Sequence, residues 1–323
     1  MTKICFFEKE FVVFELMRYI DVTNLLNSTK LLKNVKKKFI CRIINKKYSL
    51  GYYYYEESRN VIHNSVENPH RQISLDLNEP GDHIKDLSIL GNVHGLNLSG
   101  CKKIIDVSAL GNIHTLVLND CHNITDISAL GKVYTLYLEN CEKITDVSAL
   151  GNVHTLNLSL CKNITDVSAL GNVHTLNLSS CEKITDVSAL GNVHTLVLNY
   201  CHNITDVSAL GNVHTLYLDN CKKITDVSSL RNVHKLDLSG CNNITNISAL
   251  RNIHTLYLHG HDKITDVSML RNVHTLILSY CENINDVSVL GNVHNLDLSL
   301  CENINDVSAL GNVHTLNLSW CKN

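Results

Sequence analysis

Three residue types able to do chemistry recur in register along this chain. Cys101, Cys121, Cys141, Cys161, Cys181, Cys201, Cys221, Cys241, Cys281, Cys301 and Cys321 stand 20 residues apart, with His261 in the remaining slot. His94, His114, His154, His174, His194, His214, His234, His254, His274, His294 and His314 form a second column, broken only by Tyr134. Asp106, Asp126, Asp146, Asp166, Asp186, Asp206, Asp226, Asp266, Asp286 and Asp306 form a third, with Asn246 substituting once.

Each column has a chemical reading and a structural one. Cysteines in adjacent copies would lie about 4.8 Å apart, inside the range a disulfide can span. In-register side chains point the same way, however, so the column reads as buried, reduced thiols that pack as small hydrophobes and donate weakly to turn carbonyls. A zinc ladder would need ligands converging from different directions. The histidines fall just ahead of an apolar alternation, where a half-exposed imidazole can bond the neighbouring copy. Adjacent imidazoles repel once protonated, which implies acid sensitivity. The aspartates precede a Val/Ile-Ser-x-Leu turn and read as capping residues that accept backbone N–H bonds two or three positions on. Asn246 can do that, but it could not replace a general acid.

No phosphate-cradling glycine loop or nucleophile elbow accompanies these columns. The glycines at 91, 111, 131, 151, 171, 191, 211, 291 and 311 occupy a turn, where Arg231, Arg251 and Arg271 replace them, so the turn does not require a positive φ. The expectation is a non-enzymatic protein without cofactor or metal. The arginine stripe reads as a solvated rim, or as a site for a phosphate or acidic partner.

The elements that must carry these columns follow from the repeat itself. Written once, it runs Val153-His-Thr-Leu156-Asn-Leu158-Ser-Leu-Cys161-Lys-Asn-Ile164-Thr-Asp166-Val167-Ser-Ala-Leu170-Gly-Asn172, and twelve such strand segments start between Val93 and Val313. An irregular thirteenth precedes them at Ile73-Ser-Leu75-Asp-Leu77. Alternation holds only across Leu156-Asn157-Leu158; Cys161, Ile164, Val167 and Leu170 then follow at intervals of three. That pattern predicts a short strand and a 3₁₀-like return. One such unit cannot bury its own apolar side, so the copies must stack into a parallel-sheet solenoid about 60 Å long.

The spacing Val-x-x-Leu-x-Leu-x-x-Cys-x-x-Ile-Thr-Asp resembles the leucine-rich repeat of the cysteine-containing type, and Ile-Thr-Asp-Val-Ser-x-Leu also resembles internalin-like bacterial repeats. The resemblance covers about 250 residues. It implies an α/β solenoid, a horseshoe with a parallel concave sheet and a convex side of 3₁₀ helices and turns, since 20 residues leave no room for a long helix. It says almost nothing about function.

Partner recognition is expected where exposed columns vary. The residue between the strand leucines runs Asn97, Val117, Tyr137, Asn157, Asn177, Val197, Tyr217, Asp237, Tyr257, Ile277, Asp297, Asn317 and must face the concave side. The two positions after the strand add Asp120, Glu139, Leu160, Tyr200, Asp219, His259, Tyr280, Leu300 and Trp320, with no Lys or Arg. From these the expected binding set is Tyr137, Tyr200, Tyr217, Asp237, Tyr257, His259, Tyr280, Asp297 and Trp320. Diagonal aromatic pairs are expected between Tyr200 and Tyr217 and between Tyr257 and Tyr280. A face of Tyr, Asn, Ser and carboxylates suits a protein partner.

Charge divides the chain. Residues 1–70 hold 12 Lys/Arg and 7 Asp/Glu, and 71–323 hold 16 and 24, a net of +5 against −8. An acidic majority argues against nucleic acid as the main ligand. No apolar run reaches the roughly 18 residues of a membrane span. The opening Met1-Thr-Lys-Ile-Cys-Phe-Phe-Glu lacks the pattern of a signal peptide, so a reducing, cytoplasmic location is expected and a secreted adhesin is not.

Residues 11–48 lack the repeat. Phe14, Leu16, Met17 and Ile20, then Leu25, Leu26, Leu31, Leu32, Val35 and Phe39, space as short amphipathic helices. This segment resembles an F-box, the motif that docks on the Skp-type adaptor of cullin-RING ubiquitin ligases, although Val12-Val13 stands where Leu-Pro usually opens it. The resemblance implies docking through Phe14, Leu16, Ile20, Leu25, Leu26, Val35 and Phe39. The expected organisation is an F-box-like helical segment over 1–48, a linker or N-terminal cap over 49–70, and the solenoid over 71–323. The function this implies is a substrate-recognition adaptor of a ubiquitin ligase, the alternative being a stand-alone interaction scaffold. Richness in Asn, Lys, Ile and Tyr is that of an A+T-rich genome, such as those of large viruses of amoebae, which would place the protein in host cytoplasm. The last strand, 313–318, is expected to leave an open edge, partly capped by Trp320 and prone to end-to-end self-association through 309–323.

Overall fold

The computed structural model describes residues 41–43, 46–65, 73–78, 84 and 86–321. Each regular repeat makes one three-residue strand, Thr155–Asn157 in the unit written above, because the in-and-out alternation ends at Leu158, where the chain must turn. Strand β1 (Cys41–Ile43) is followed by helices α1 (Lys46–Tyr54) and α2 (Glu56–Ser65), β2 (Ile73–Asp76) and β3 (Gly95–Asn97). Strands β4 to β14 then recur from Thr115–Val117 to Thr315–Asn317. Among the described residues, all 14 strands lie in one parallel sheet in sequence order. Register follows the repeat: Leu216 pairs with Leu236 and Leu236 with Leu256, so like stacks on like.

The return leg is a 3₁₀ helix of three to five residues, as at Ser148–Leu150 and Ser168–Asn172. Its start is set by the aspartate column. Asp166 Oδ1 accepts the Ser168 N–H at 2.9 Å, two residues on, and Asn246 does the same for Ser248 at 3.0 Å. The same bond holds the Asp166 carboxyl below its ordinary pKa. At the other end of the helix the turn residues lie in the right-handed region, Gly111 at φ −63° and Arg251 at −58°, which is why arginine fits there. Glycine is favoured for a different reason: a Cβ on Gly111 would meet the Ala129 carbonyl oxygen of the next repeat at 2.3 Å.

Columns of Val/Ile, Leu, Leu, Cys, Ile, Val and Leu form one continuous core, with Leu156 1 % and Cys161 and Ile164 0 % exposed. Each buried leucine contributes about 1.5–3 kcal/mol of burial. Residues of the N-terminal helices join that core. Tyr52 and Tyr53 are buried in it, the Tyr53 hydroxyl accepts the Asp86 N–H at 3.1 Å, and Ser49 Oγ accepts the Asp76 N–H at 3.1 Å. The boundary expected at residue 48 falls inside α1, and β1 pairs with β2, extending the sheet beyond the first repeat. At the other end β14 pairs with β13 (Asn295–Asp297), and Leu316 and Val307 are exposed. Trp320, 81 % exposed, does not fold over these core columns as a cap.

Candidate interaction face

The cysteine column behaves as a hydrogen-bonded ladder. Each thiol donates to the carbonyl of the second strand leucine in the preceding repeat, Cys161 to Leu138 at 3.1 Å and Cys201 to Leu178 at 3.2 Å. All eleven are free thiols. Burial pushes Cys161 and Cys201 up to about 12, which removes them as nucleophiles. His261 fills its slot in the same manner, Nε2 lying 2.7 Å from Leu238 O, but it is fully buried and its Nδ1 has no partner.

The histidine column differs from expectation. Its rings stack on those of the neighbouring repeats, with centroids 4.6 Å apart and planes 8° apart for His174 and His194. Tyr134 stacks in the same row, 4.5 Å from His154. In seven copies Nδ1 meets the threonine hydroxyl of the next residue in its own repeat, as His174 does with Thr175 at 3.2 Å. A repeat of about 4.8 Å brings in-register flat rings to contact distance, so they stack.

The concave column also divides. Asn97, Asn157, Asn177, Asp237, Asp297 and Asn317 each accept an N–H from the residue two positions on, for example Asp237 from Ser239 at 2.9 Å and Asp297 from Ser299 at 2.8 Å. These side chains shape the turn that ends the strand. The residues left to face solvent are Val117, Tyr137, Val197, Tyr217, Tyr257 and Ile277. Beyond the strand, the third residue adopts the left-handed conformation, with φ of 60° at Asp120, Tyr200, Tyr280 and Leu300 and 65° at Trp320. Sequence reasoning missed this, although Gly100, Gly240 and Gly260 in the same column were the signal. The kink turns Tyr200 (46 % exposed) and Tyr280 (47 %) outward.

The expected diagonal tyrosine pairs are replaced by other contacts. Tyr200 meets His202 edge-on at 6.2 Å, and Tyr280 lies against His259 at 6.2 Å. Tyr217 and Tyr257 are instead joined by Lys235. Register places Asp237 between the two tyrosines, on β9 (Thr215–Tyr217), β10 (Lys235–Asp237) and β11 (Thr255–Tyr257). The Lys235 ammonium lies over both rings, 5.2 Å from the Tyr217 centroid and 5.5 Å from that of Tyr257. Hydrogen bonding to Tyr217 raises its pKa. Lys235 was the second omission, legible as the one lysine in a column otherwise of threonine, with Gly95 and Asn295.

Beside this clamp, Asp219 is raised above the ordinary carboxylate value by burial and then by the Asp237 charge. Its backbone N–H bonds Asn199 Oδ1 at 3.0 Å, and the Asn220 amide donates to its Oδ1 at 2.8 Å. His259 Nδ1 lies 2.8 Å from Ser279 Oγ. Tyr200, Tyr217, Asp237, Tyr257, His259 and Tyr280 thus fall in five consecutive repeats, Asp297 and Trp320 fall in the next two, and Tyr137 lies apart. The F-box-like residues Phe14, Leu16, Ile20, Leu25, Leu26, Val35 and Phe39 lie outside the described residues. Among the described residues no three His, Cys, Asp or Glu side chains converge as a metal site, and no helix is long and apolar enough to cross a membrane.

No family model matches the chain, and no curated protein matches it. Solved structures do. An internalin of Listeria monocytogenes is similar at 23% identity over 75% of this chain and 85% of that one, with a TM-score of 0.56. The functional domain of InlJ from the same organism, described as including a cysteine ladder, is 22% identical over 77% of this chain and 63% of its own, with a TM-score of 0.49. A leucine-rich-repeat protein of Leptospira interrogans gives 16% identity, 85% and 90% coverage, and a TM-score of 0.44. The fold is the leucine-rich-repeat solenoid.

Proposed function

We propose that this protein is a non-enzymatic interaction scaffold whose concave face, around β9 to β11, holds a protein target. The observation that carries the reading is the Tyr217–Lys235–Tyr257 clamp, where one lysine replaces the usual threonine and is fixed over two rings beside Asp237. Aromatic groups presented on a rigid sheet lose little entropy on binding and are the usual anchors of a protein interface. The buried thiol ladder suits a reducing, cytoplasmic compartment.

The finer reading is a substrate adaptor of a cullin-RING ubiquitin ligase: residues 11–48 dock the Skp-type subunit and the concave face selects the protein to be modified. What supports it is the F-box-like apolar spacing, followed by repeats of a kind that commonly carry such targets. Binding of the full chain to purified Skp-type adaptor tests it. Replacing Leu25 and Leu26 with Ser should abolish that binding and leave the solenoid's circular dichroism unchanged; adaptor binding that survives the change removes the ligase role. The scaffold role then stands alone.

A further inference from the structure

One edge of the solenoid is free of acid. From Gly91 to Gly95, and in every later copy through 311–315, the turn residue, its neighbour, the buried Val/Ile, the stacked ring and the first strand residue include no Asp or Glu. Those positions do hold Lys132, Arg231, Lys235, Arg251 and Arg271, and all but Lys132 fall in three consecutive repeats. In the same repeats His234, His254 and His274 are exposed and stack at 4.5 and 4.6 Å. His254 and His274 direct Nδ1 to the hydroxyls of Thr255 and Thr275, which leaves the Nε2 edge of each ring for an outside acceptor.

We infer that this edge, where β10, β11 and β12 (Thr275–Ile277) begin, docks an acidic polypeptide segment, its carboxylates meeting Arg231, Lys235, Arg251 and Arg271. The inference rests on the proposed interaction role and names the chemistry of the partner. Stacked imidazoles 4.6 Å apart resist simultaneous protonation, and a row of carboxylates laid along them offsets that repulsion, so docking tightens as the pH falls through the histidine range. In the chain, Arg231, Arg251 and Arg271 stand three residues before the three rings, Lys235 follows the first directly, and the hydroxyls of Thr255 and Thr275 contact the other two. His214 and His294 stack at the two ends of the trio; the nearest carboxylate in sequence is Asp237, at the end of β10, followed by Asp226, Asp262, Asp266 and Glu282, each eight residues from one of the three rings.

A protein segment fits better than a nucleic acid. The ring faces are consumed by one another, so bases find no stacking platform. The remainder of the repeat region is acidic and repels a long polyanion, whereas a short segment can stay within the cationic strip. The tyrosines of the clamp adjoin it and suit an amphipathic chain.

The test uses the full chain and labelled poly-L-aspartate, with a single-stranded oligonucleotide and phosphatidylserine-containing vesicles as competing probes. Arg231→Gly, Arg251→Gly, Arg271→Gly and Lys235→Thr together return four positions to residues this chain already carries in other repeats. That variant should bind poly-aspartate at least about tenfold more weakly at neutral pH, as loss of several cation contacts requires. His234→Tyr, His254→Tyr and His274→Tyr keep the stack, as Tyr134 does, and should weaken neutral-pH binding by less than the first variant does while removing the gain below about pH 6.5. Unchanged affinity in the first variant, or tighter capture of oligonucleotide or vesicles than of poly-aspartate, overturns the inference. Its failure is distinguishable from failure of the scaffold role, which is read by target capture in concave tyrosine variants and not by poly-aspartate.

Discussion

The ammonium of Lys235 lies 5.2 Å above the ring of Tyr217, and the same nitrogen is 5.5 Å from Tyr257. One long side chain thereby fixes two rings on strands that are not neighbours. A double-mutant cycle with Lys235→Thr and Tyr217→Ala, read by urea denaturation, should return a coupling of about 0.5–1 kcal/mol, the range for a cation over an exposed ring. Additive effects would show that the contact does not hold the clamp.

His261 is the weak rung of the thiol ladder. Its Nδ1 is buried without a partner, and burial holds its pKa below the ordinary imidazole value. His261→Cys restores a thiol facing the Leu238 carbonyl and removes the orphan atom, so it should stabilise the chain by about 1–3 kcal/mol. A depressed histidine contributes stability above its unfolded pKa and loses it as the pH falls through the folded value. The gain in denaturation midpoint should therefore be larger in mild acid than at neutral pH.

Acid should unfold the solenoid in two windows. His174, His214 and His254 are held below 6.5 by desolvation and by the charges of the histidines stacked on either side. The unfolded chain then binds more protons as the pH drops below that value, and stability falls. The capping carboxyls, such as Asp166 and Asp206, are depressed by the Ser168 and Ser208 N–H bonds, so their contribution is full above 3.8 and disappears as the pH falls through their folded values. Thermal denaturation as a function of pH should show a first decline below about pH 6.5 and a second below about pH 4. Replacing the three histidines by tyrosine should remove part of the first decline and none of the second.

The ladder thiols should be inert in the folded chain. Burial raises Cys121, Cys241 and Cys281 to about 12, so thiolate is scarce near neutral pH and each sulfur is enclosed. A chromogenic disulfide reagent should label Cys101 to Cys301 only once denaturant is added, while half-exposed Cys321 reacts sooner. Fast labelling of the ladder without denaturant would show that the rungs open.

Much of this was legible in the sequence because a strict period turns one repeat into twelve observations of the same environment. Leu156 and Leu158 had to be inside and Asn157 outside, and the replacement of Asp by Asn246 identified a hydrogen-bond acceptor before any distance was known. What escaped lay in relations between repeats. Nothing in His174 alone says that its ring lies flat on its neighbours; that follows from the repeat spacing. The left-handed turn at Asp120 and Tyr200 was masked because mostly non-glycine residues occupy it, and it carries Tyr200 and Tyr280 away from the diagonal partners expected for them. Lys235 was missed because variation was sought between and after the strand leucines, whereas the clamp is built from the first residue of the strand.

The central claim, that the concave face of β9 to β11 holds a protein target, is tested most directly by target affinity in Tyr217→Ala and Tyr257→Ala variants of the full chain, measured by titration with the captured partner. Each substitution should weaken binding by about 1–3 kcal/mol, the range for an aromatic anchor, with the strand signal in circular dichroism unchanged. Wild-type affinity in both variants would contradict the account and move the site off this face.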